Sequence, residues 1–226
     1  MKKIVKALVI LAAAIVCCHA IRGAEPSPLL QQWFAAQTNL HTWSADAIQT
    51  RVIKTFAQPL VSTGKVWVVT PDHFRWELGK PAQTIALRQP DQLMLVYPRL
   101  KRAEKYPLND KQPGPWRDAL ALMEASFPHS RAELESEFLI GGINESNGVV
   151  ELRLQPKSLF ARKFMTELRI GYRTADFAPA FTDMKFSDGS SMRNDFSNSI
   201  TNAPIPPSIF QFELGSDFKV VEPLKK

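Results

Sequence analysis

Two β-strands joined by a tight turn are indicated by the stretch Gly64-Lys65-Val66-Trp67-Val68-Val69-Thr70-Pro71-Asp72-His73-Phe74-Arg75-Trp76-Glu77. Its first half is rich in Val and Trp and ends at Pro71. Its second half alternates apolar and charged residues from Phe74 to Glu77. Period-two alternation bounded by Gly and Pro is typical of strands. The stretch therefore predicts two strands of a sheet.

Similar patterns lie on both sides of this pair and predict about ten strands in all. Strands with one apolar and one polar face form antiparallel sheets that are wet on one side. At roughly 4.8 Å per strand, such a sheet is about 48 Å across. The further predicted strands are Ala47 to Phe56, Leu93 to Tyr97, Arg102 to Tyr106, Val150 to Leu154, Phe164 to Tyr172, Asp183 to Phe186, Met192 to Phe196 and Phe210 to Leu214.

Three helical stretches accompany the strands. One begins at Ser27-Pro28 and ends near Thr42, one carries an apolar stripe from Trp116 to Phe127, and a short one covers Ser130 to Glu137. A helix covers about 10 Å of width, so two or three helices cannot cover a flat sheet of this size. The predicted fold is mainly β with an α lid: a curved antiparallel half-barrel closed by two or three short helices. Pattern alone leaves open whether its interior is filled or hollow.

The first 20 residues predict a secretory signal peptide. Three lysines precede an apolar run from Ala7 to Cys18, and small residues allow cleavage after Ala20 or, less favourably, after Ala24. Removal leaves one predicted domain over residues 25–226, no cysteine, and 25 Lys and Arg against 22 Asp and Glu. A net charge of +3 is weak support for nucleic-acid binding. An uncleaved anchor, or a lipid on Cys17 or Cys18, are the alternatives.

The stretch Gly64–Glu77 resembles the G-x-[LVI]-W-[VLI]-x-[RKT]-P-x-x-F-x-W segment of the outer-membrane lipoprotein carrier family, LolA. Weaker matches are Tyr97-Pro98, Leu154-x-Pro156-Lys157 and Phe210-x-Phe212. The likeness extends from Leu29 to Val221. One departure indicates a divergent branch, because the residue before the proline, commonly an Arg that ties the lid shut, is Thr70 here.

The resemblance implies an apolar cavity and a periplasmic carrier. Such a carrier takes acylated lipoproteins from an inner-membrane ABC transporter and passes them to an outer-membrane receptor. It implies no cofactor and no enzyme chemistry, and we expect a monomer that binds no nucleic acid. Acylated pigment precursors are an alternative cargo. The scaffold also resembles the lipid-sensing or protein-binding domains of periplasmic anti-sigma regulators, although a following domain is expected there and this chain ends at Lys226.

Aromatic and aliphatic stripes are the candidate acyl-chain contacts. Alternation leaves open which face of its strand Trp67 occupies, because Val66 and Val68 compete for the inner face. The lid candidates are equally consistent with plain core residues. The predicted cavity wall is Trp67, Phe74, Trp76, Leu93, Leu95 and Tyr97, and the predicted lid is Trp33, Phe34, Trp116, Leu120, Met123 and Phe127.

Charged and polar residues give one further candidate site. The cluster Arg99, Lys101 and Arg102 is either a contact for an acidic transporter loop or anionic headgroups, or a strand edge protected by charge. The histidines are isolated and lack metal-ligand spacing. The sequence contains no Gly-x-Ser-x-Gly, His-Glu-x-x-His or phosphate-loop motif, so we predict neither an enzyme nor a metal site.

Overall fold

The computed structural model describes residues 28–108 and 131–223, and their strands form one sheet. The helices are α1 (Pro28–Thr38), α2 (Arg131–Glu137) and the single turn α3 (Leu159–Arg162), with 3-10 turns at Pro98–Leu100 and Pro207–Phe210. The strands are β1 (Thr42–Val52), β2 (Leu60–Val69), β3 (His73–Leu78), β4 (Thr84–Gln89), β5 (Gln92–Tyr97), β6 (Arg102–Pro107), β7 (Phe138–Ser146), β8 (Val149–Pro156), β9 (Met165–Arg173), β10 (Pro179–Phe186), β11 (Ser191–Thr201) and β12 (Lys219–Val221).

Two antiparallel meanders make up the sheet. Strands β1 to β6 follow one another across one half, strands β7 to β11 follow one another across the other, and the halves join where β1 pairs with β11. The short β12 pairs in parallel with β6 at one edge. The sheet is open and curled, not closed into a barrel, which confirms the predicted mainly-β half-barrel.

The two described helices α1 and α2 pack on the concave face over β8 to β10. Trp33 of α1 is 1% exposed, and its ring centroid lies 4.8 Å from that of Tyr172 on β9. Leu134 of α2 is buried in the same cluster. The amide Nε2 of Gln37 donates to the carbonyl of Phe177, which fixes α1 to the β9–β10 turn. The helices therefore fill one half of the concave face.

The C-terminal segment 205–218 covers the convex face of the other half. Phe210 is buried there against Ile85, Leu87 and Val96 of β4 and β5. This finding corrects the strand predicted at Phe210 to Leu214, because the segment instead forms a 3-10 turn and crosses the sheet without joining it. Its apolar residues are buried by packing on the face, so their alternation does not mark a strand.

Charged side chains cover the convex face of β8 to β11. The guanidinium of Arg169 pairs with Asp183 and lies 3.7 Å from Glu151, and Lys185 pairs with Glu167 at 2.8 Å. The pairs differ in burial: Asp183 is 8% exposed, whereas Lys185 lies at the surface, where an ion pair contributes only about 0–1 kcal/mol. Their consequence is orientation, since they hold this face towards water and leave the opposite face to the apolar residues.

The structure moves the start of the sheet towards the N-terminus. Helix α1 ends at Thr38 and β1 begins at Thr42, whereas the sequence predicted a helix to Thr42 and a strand from Ala47. The side-chain oxygen of Asn202 accepts from the amide of His41 at 2.8 Å and so fixes the chain as it enters β1. The predicted lid helix from Trp116 to Phe127 lies outside the described residues.

Candidate ligand cavity

A cavity of about 650 Å³ lies on the concave face beside the packed helices. It is bounded by β1 to β4, by β10 and β11, and by Glu133 of α2. Strand alternation positions its walls, because residues directly opposed across antiparallel strands point to the same face. Val66 and Val68 of β2 oppose Trp76 and Phe74 of β3, and these four side chains form one wall.

Aromatic rings form the centre of the cavity wall. The rings of Trp43 and Phe196 meet edge to face with centroids 5.0 Å apart, and the ring of Trp76 lies 5.8 Å from that of Phe196. Met184 and Met192 complete this side. Rigid rings leave gaps that flexible methionines adapt to, so the wall suits a flexible apolar ligand.

A row of polar side chains crosses this apolar wall. The amide of Gln49 on β1 donates to the amide oxygen of Asn194 on β11 at 2.9 Å, and Asn194 donates to the hydroxyl of Thr182 on β10 at 2.9 Å. Asn194 is 1% exposed. Among the described residues, the hydroxyl hydrogen of Thr182 has no acceptor. A purely hydrocarbon ligand would leave this hydroxyl without an acceptor, whereas the carbonyl oxygen of a ligand would accept a hydrogen bond from it.

Charged groups lie at the end of the cavity next to the β2–β3 turn. The guanidinium of Arg88 donates to the carbonyl oxygens of Asp72 at 2.9 Å and Gln89 at 2.5 Å. The carboxylate of Asp72 lies 2.8 Å from Nδ1 of His73. These residues line the cavity together with Thr70 and Pro71. One end of the cavity is therefore polar while its middle is apolar.

Thr70, which departs from the family pattern, has a structural role of its own. Its hydroxyl donates to the carbonyl of Leu40 at 2.9 Å, and its amide donates to the carbonyl of His41 at 3.0 Å. These bonds join the end of β2 to the loop after α1. Arg75 points to the convex face, where it binds Glu77 at 2.6 Å, as the alternation of β3 predicts.

The predicted wall residues divide between the two faces of the sheet. Phe74 and Trp76 line the cavity. Trp67 lies on the convex face with the cluster around Phe210, and this placement corrects its predicted position in the wall. Leu93 and Leu95 oppose Arg88 and Ala86 and so share the concave face, as does Tyr97 by alternation, but these three lie beside the cavity and not among its described lining residues.

Two tyrosines with raised pKa values lie on the concave face beyond Leu93. Burial raises the pKa of Tyr97. Burial, together with the hydrogen bond from its hydroxyl to Glu104 at 2.7 Å, raises the pKa of Tyr106 to about 12. Both tyrosines share this part of the face with the ion pair of Arg102 and Glu104, so the surface next to the cavity is mixed in polarity.

Two predicted lid residues pack on the sheet as core. Trp33 and Phe34 contact each other, with ring centroids 4.5 Å apart, and belong to the cluster under α1. They do not appear among the described residues that line the cavity. The other predicted lid residues, Trp116, Leu120, Met123 and Phe127, lie outside the described residues.

The predicted basic contact lies in the turn between β5 and β6. Arg99 is exposed there. Lys101 lies 3.1 Å from Asp217 and 5.2 Å from the ring centroid of Phe218, and Arg102 lies 2.8 Å from Glu104. Lys101 and Arg102 thus also help to hold the C-terminal segment and β6.

Sequence reasoning missed the far wall of the cavity. Trp43 and Gln49 lie on β1, whose start was placed too late, although Trp43, Ala45 and Ala47 alternate clearly. Within the predicted strand from Met192 to Phe196, the same alternation places Met192, Asn194 and Phe196 on one face. This signal was available in the sequence.

The described residues, 28–108 and 131–223, offer neither a metal site nor a membrane-spanning helix. No group of three or more His, Cys, Asp or Glu is placed there to hold a metal ion. No helix there combines the length and the apolar character needed to cross a bilayer.

Comparison with known proteins assigns the family of this chain. The model of the family described as outer membrane lipoprotein carrier protein LolA matches residues 38–213, most of the chain. The chain belongs to the LolA family. The matched range begins at the last residue of α1 and includes every residue of the cavity wall. No curated protein matches this LolA-family chain.

Several solved structures are similar to this chain at low sequence identity. An uncharacterized conserved protein from Thermus thermophilus is 10% identical, with a TM-score of 0.50 over 85% of this chain and 98% of that one. A putative outer membrane lipoprotein-sorting protein domain from Vibrio parahaemolyticus is 14% identical (TM-score 0.44; 80% and 94% covered). The MucA/MucB complex of Pseudomonas aeruginosa matches at 15% identity (TM-score 0.46; 85% and 62% covered).

Proposed function

We propose that this protein is a periplasmic carrier that shelters an acyl chain of a lipoprotein, or of a related lipid, between the inner and outer membranes. The observation that carries the proposal is the apolar cavity on the concave face, which the described side chains leave open. Cavities of roughly 300–1,000 Å³ are the usual size for small-molecule sites. Membership of the LolA family supports lipid or lipoprotein as the ligand class.

The size of the cavity sets how much lipid it holds. A methylene group occupies about the volume of a water molecule, ~30 Å³, so a cavity of about 650 Å³ accommodates one acyl chain and not three. Burial of a 16-carbon chain contributes roughly 12 kcal/mol, at about 0.8 kcal/mol per methylene. Partial burial of a lipid leaves part of its hydrophobic surface available to an acceptor, which a carrier requires.

The polar row of Gln49, Asn194 and Thr182 favours a ligand that carries an oxygen acceptor next to its hydrocarbon chain. The hydroxyl of Thr182 is buried beside Asn194 and faces the same cavity. Its oxygen accepts from Asn194, and leaving its proton without an acceptor costs part of the roughly 1–3 kcal/mol of a fully unsatisfied buried polar group. An ester or amide carbonyl at the head of an acyl chain would remove that cost. We therefore propose an acyl ester or acyl amide as the bound group.

The remaining parts of the proposal concern processing and partners. Cleavage after residue 20 or 24 would release into the periplasm a protein whose single domain covers residues 25–226. An inner-membrane ABC transporter would be the donor and an outer-membrane receptor the acceptor. The protein would act as a monomeric chaperone for its cargo and would catalyse no reaction. Arg99 is exposed and available to an acidic partner.

A substitution that fills the cavity tests the proposal. Ala86 lines the cavity on β4, beside the wall residue Trp76 of β3, and it opposes Leu95 of β5 on its other side. Ala86→Trp should lower the affinity for a fluorescent acyl probe at least tenfold, because the indole occupies volume that the chain needs. Probe titration measures the change, and mass spectrometry of lipid co-purified with the wild-type protein identifies the cargo.

Ala35→Trp is the matched control, because Ala35 is exposed on α1. It adds the same ring outside the cavity and should leave probe affinity unchanged, while circular dichroism checks that both variants are folded. Equal probe binding by folded Ala86→Trp and by wild type would refute the carrier proposal.

A further inference from the structure

One end of the sheet concentrates basic turns. Neighbouring antiparallel strands place alternate connections at the same end, so five connections share this end, which we name the basic end. They contain seven Lys and Arg, and one acid, Asp188. The connections are residues 53–59, 79–83, 98–101, 157–164 and 187–190, and their cations are Lys54, Lys80, Arg99, Lys101, Lys157, Arg162 and Lys163.

The opposite end of the sheet has the reverse charge. The described connections at that end contain the acids Asp72, Asp91 and Asp176 and no Lys or Arg. Helix α2 borders the basic end with Arg131 and three glutamates, and Asp217 pairs with Lys101 there, so with these included the basic end has eight cations against five acids. The described connections of this end are residues 39–41, 70–72, 90–91, 147–148, 174–178 and 202–206.

Exposed apolar side chains gather at the same basic end. Of the eleven large hydrophobic residues that are exposed in the described part of the chain, seven lie in these connections or within two residues of them. Phe56 is 53% exposed and Leu100 is 73% exposed. The seven are Val52, Phe56, Leu60, Val61, Leu100, Leu159 and Phe164. Exposed apolar residues scattered singly carry no meaning, but a cluster of this kind marks an interaction surface.

Three of the basic connections contact one another and form a continuous surface. The β1–β2 ribbon extends beyond β3, because Gly64 opposes the last residue of β3, Leu78. The side chain of Lys54 at its tip lies against Gly189. In the same turn, the amide of Ser187 donates to the carbonyl of Phe164 at 2.9 Å. The tip, the β10–β11 turn and the α3 connection therefore lie side by side.

We propose that the basic end docks on an anionic lipid surface. Apolar and aromatic side chains interspersed with cations are the composition that binds the interface of an anionic bilayer. The cations lie on five separate turns at one end of the sheet, and this spread fits an extended charged surface better than a single acidic peptide. Leu78 and Phe186 line the cavity at strand ends beside this surface, so docking would bring the cavity next to the lipid.

Vesicle sedimentation tests this docking with the processed protein, residues 21–226. We expect binding to vesicles of phosphatidylcholine with 30% phosphatidylglycerol (about one lipid in three, a common anionic fraction for such surfaces) and much weaker binding to phosphatidylcholine alone. Phe56→Ser with Val61→Ser should lower the anionic-vesicle affinity more than about tenfold, because these two exposed side chains supply apolar insertion. Lys54→Gln with Arg99→Gln and Lys163→Gln should do the same, since each cation near the surface contributes roughly a fivefold factor.

Ile200→Ser is the matched apolar control, because Ile200 is 56% exposed near the opposite end of the sheet. It should leave vesicle binding unchanged. Equal binding to neutral and anionic vesicles, or an equal loss in Ile200→Ser, overturns the proposal. Loss in the charge variant with full binding in Phe56→Ser/Val61→Ser also overturns it and points to an acidic protein partner.

Probe binding in the cavity separates this proposal from the carrier proposal. The docking variants should keep wild-type affinity for the acyl probe, because none of the substituted residues lines the cavity. Vesicle binding that fails in a protein with intact probe binding overturns the docking alone. Conversely, Ala86→Trp should bind anionic vesicles as the wild-type protein does, even if it no longer binds the acyl probe.

Discussion

Gly171 is a residue at which a single added methyl group should have a large effect. It lies on β9 opposite Phe181 of β10, and a Cβ added to it would lie 2.2 Å from the Phe181 ring. That ring in turn lies 4.1 Å from the guanidinium carbon of Arg193. The glycine therefore lets an aromatic ring and its cation lie flat on the convex face of the sheet.

Gly171→Ala should lower the free energy of unfolding by about 1–3 kcal/mol, because the ring must leave its place to admit a methyl group. Urea unfolding monitored by fluorescence measures this change. Gly142→Ala on β7 is the matched control, since a Cβ there meets no atom within 4 Å, and it should be close to neutral. Similar losses in the two variants would contradict the assigned role of the Phe181 ring.

Side-chain direction could be predicted from sequence only where one face of a strand is polar. In β3, Arg75 and Glu77 alternate with Phe74 and Trp76, and the structure confirms the faces that this alternation indicates. In β2, Val66, Trp67 and Val68 are all apolar. Both faces of β2 are covered, so the period-two signal disappears, and the position of Trp67 could not be derived.

At the scale of elements, the C-terminal segment is held mainly by side chains of β3 and β4. The guanidinium of Arg75 donates to the carbonyls of Ile209 at 3.0 Å and Gln211 at 2.9 Å. The amide of Gln89 donates to the carbonyl of Phe210 at 3.0 Å. These bonds fix the backbone on either side of Phe210, and the buried Phe210 ring fixes the segment to the sheet.

Phe210→Ala should destabilise the protein by roughly 3 kcal/mol, the usual cost of truncating a buried Phe. The segment should also become sensitive to protease while the core of the sheet stays resistant, because its main apolar anchor is lost. Limited proteolysis followed by mass spectrometry locates the cuts. Phe164→Ala, at a half-exposed ring, should cause neither effect. Wild-type resistance in Phe210→Ala would show that Arg75 and Gln89 hold the segment without the ring.

Element type was easier to predict than element partnership. The hairpin at Asp188-Gly189 and the strand from Arg102 follow from turn chemistry and local alternation, and both are present. The segment from Phe210 to Leu214 also alternates, yet it packs on the convex face as an irregular cover. Local pattern reports that a residue is buried but not which surface buries it, so tertiary packing decided this element.

At the scale of the whole molecule, the curled sheet separates three surfaces. The convex face is covered by ion pairs and by the C-terminal segment, α1 and α2 fill half of the concave face, and the cavity lies next to them on the other half. The sequence predicted this curvature because too few helices were available to cover a flat sheet. It could not predict the polar row, because Gln49 on β1 meets Asn194 and Thr182 of the β10–β11 hairpin across a sequence separation of 145 residues.

We expect the row of Gln49, Asn194 and Thr182 to make the cavity prefer the carbonyl end of an acyl chain over its hydrocarbon tail. Thr182→Val keeps the side-chain volume and removes the hydroxyl that a ligand carbonyl would use. It should weaken binding of an acyl ester by about 2–10-fold, the value of one hydrogen bond of roughly 0.5–1.5 kcal/mol, and leave an alkyl chain without a carbonyl unaffected. Competition of the two ligands against one fluorescent probe measures the ratio.

Thr84→Val is the matched control for this selectivity, because Thr84 lines the same cavity on β4, away from the row. Its ratio of ester to alkyl affinity should equal that of wild type. If Thr182→Val and Thr84→Val change the ratio equally, the row only holds β1, β11 and β10 together, and the cavity recognises only the hydrocarbon part of its ligand. If Thr182→Val alone lowers it, a buried hydrogen-bond donor selects the ligand within an otherwise apolar wall.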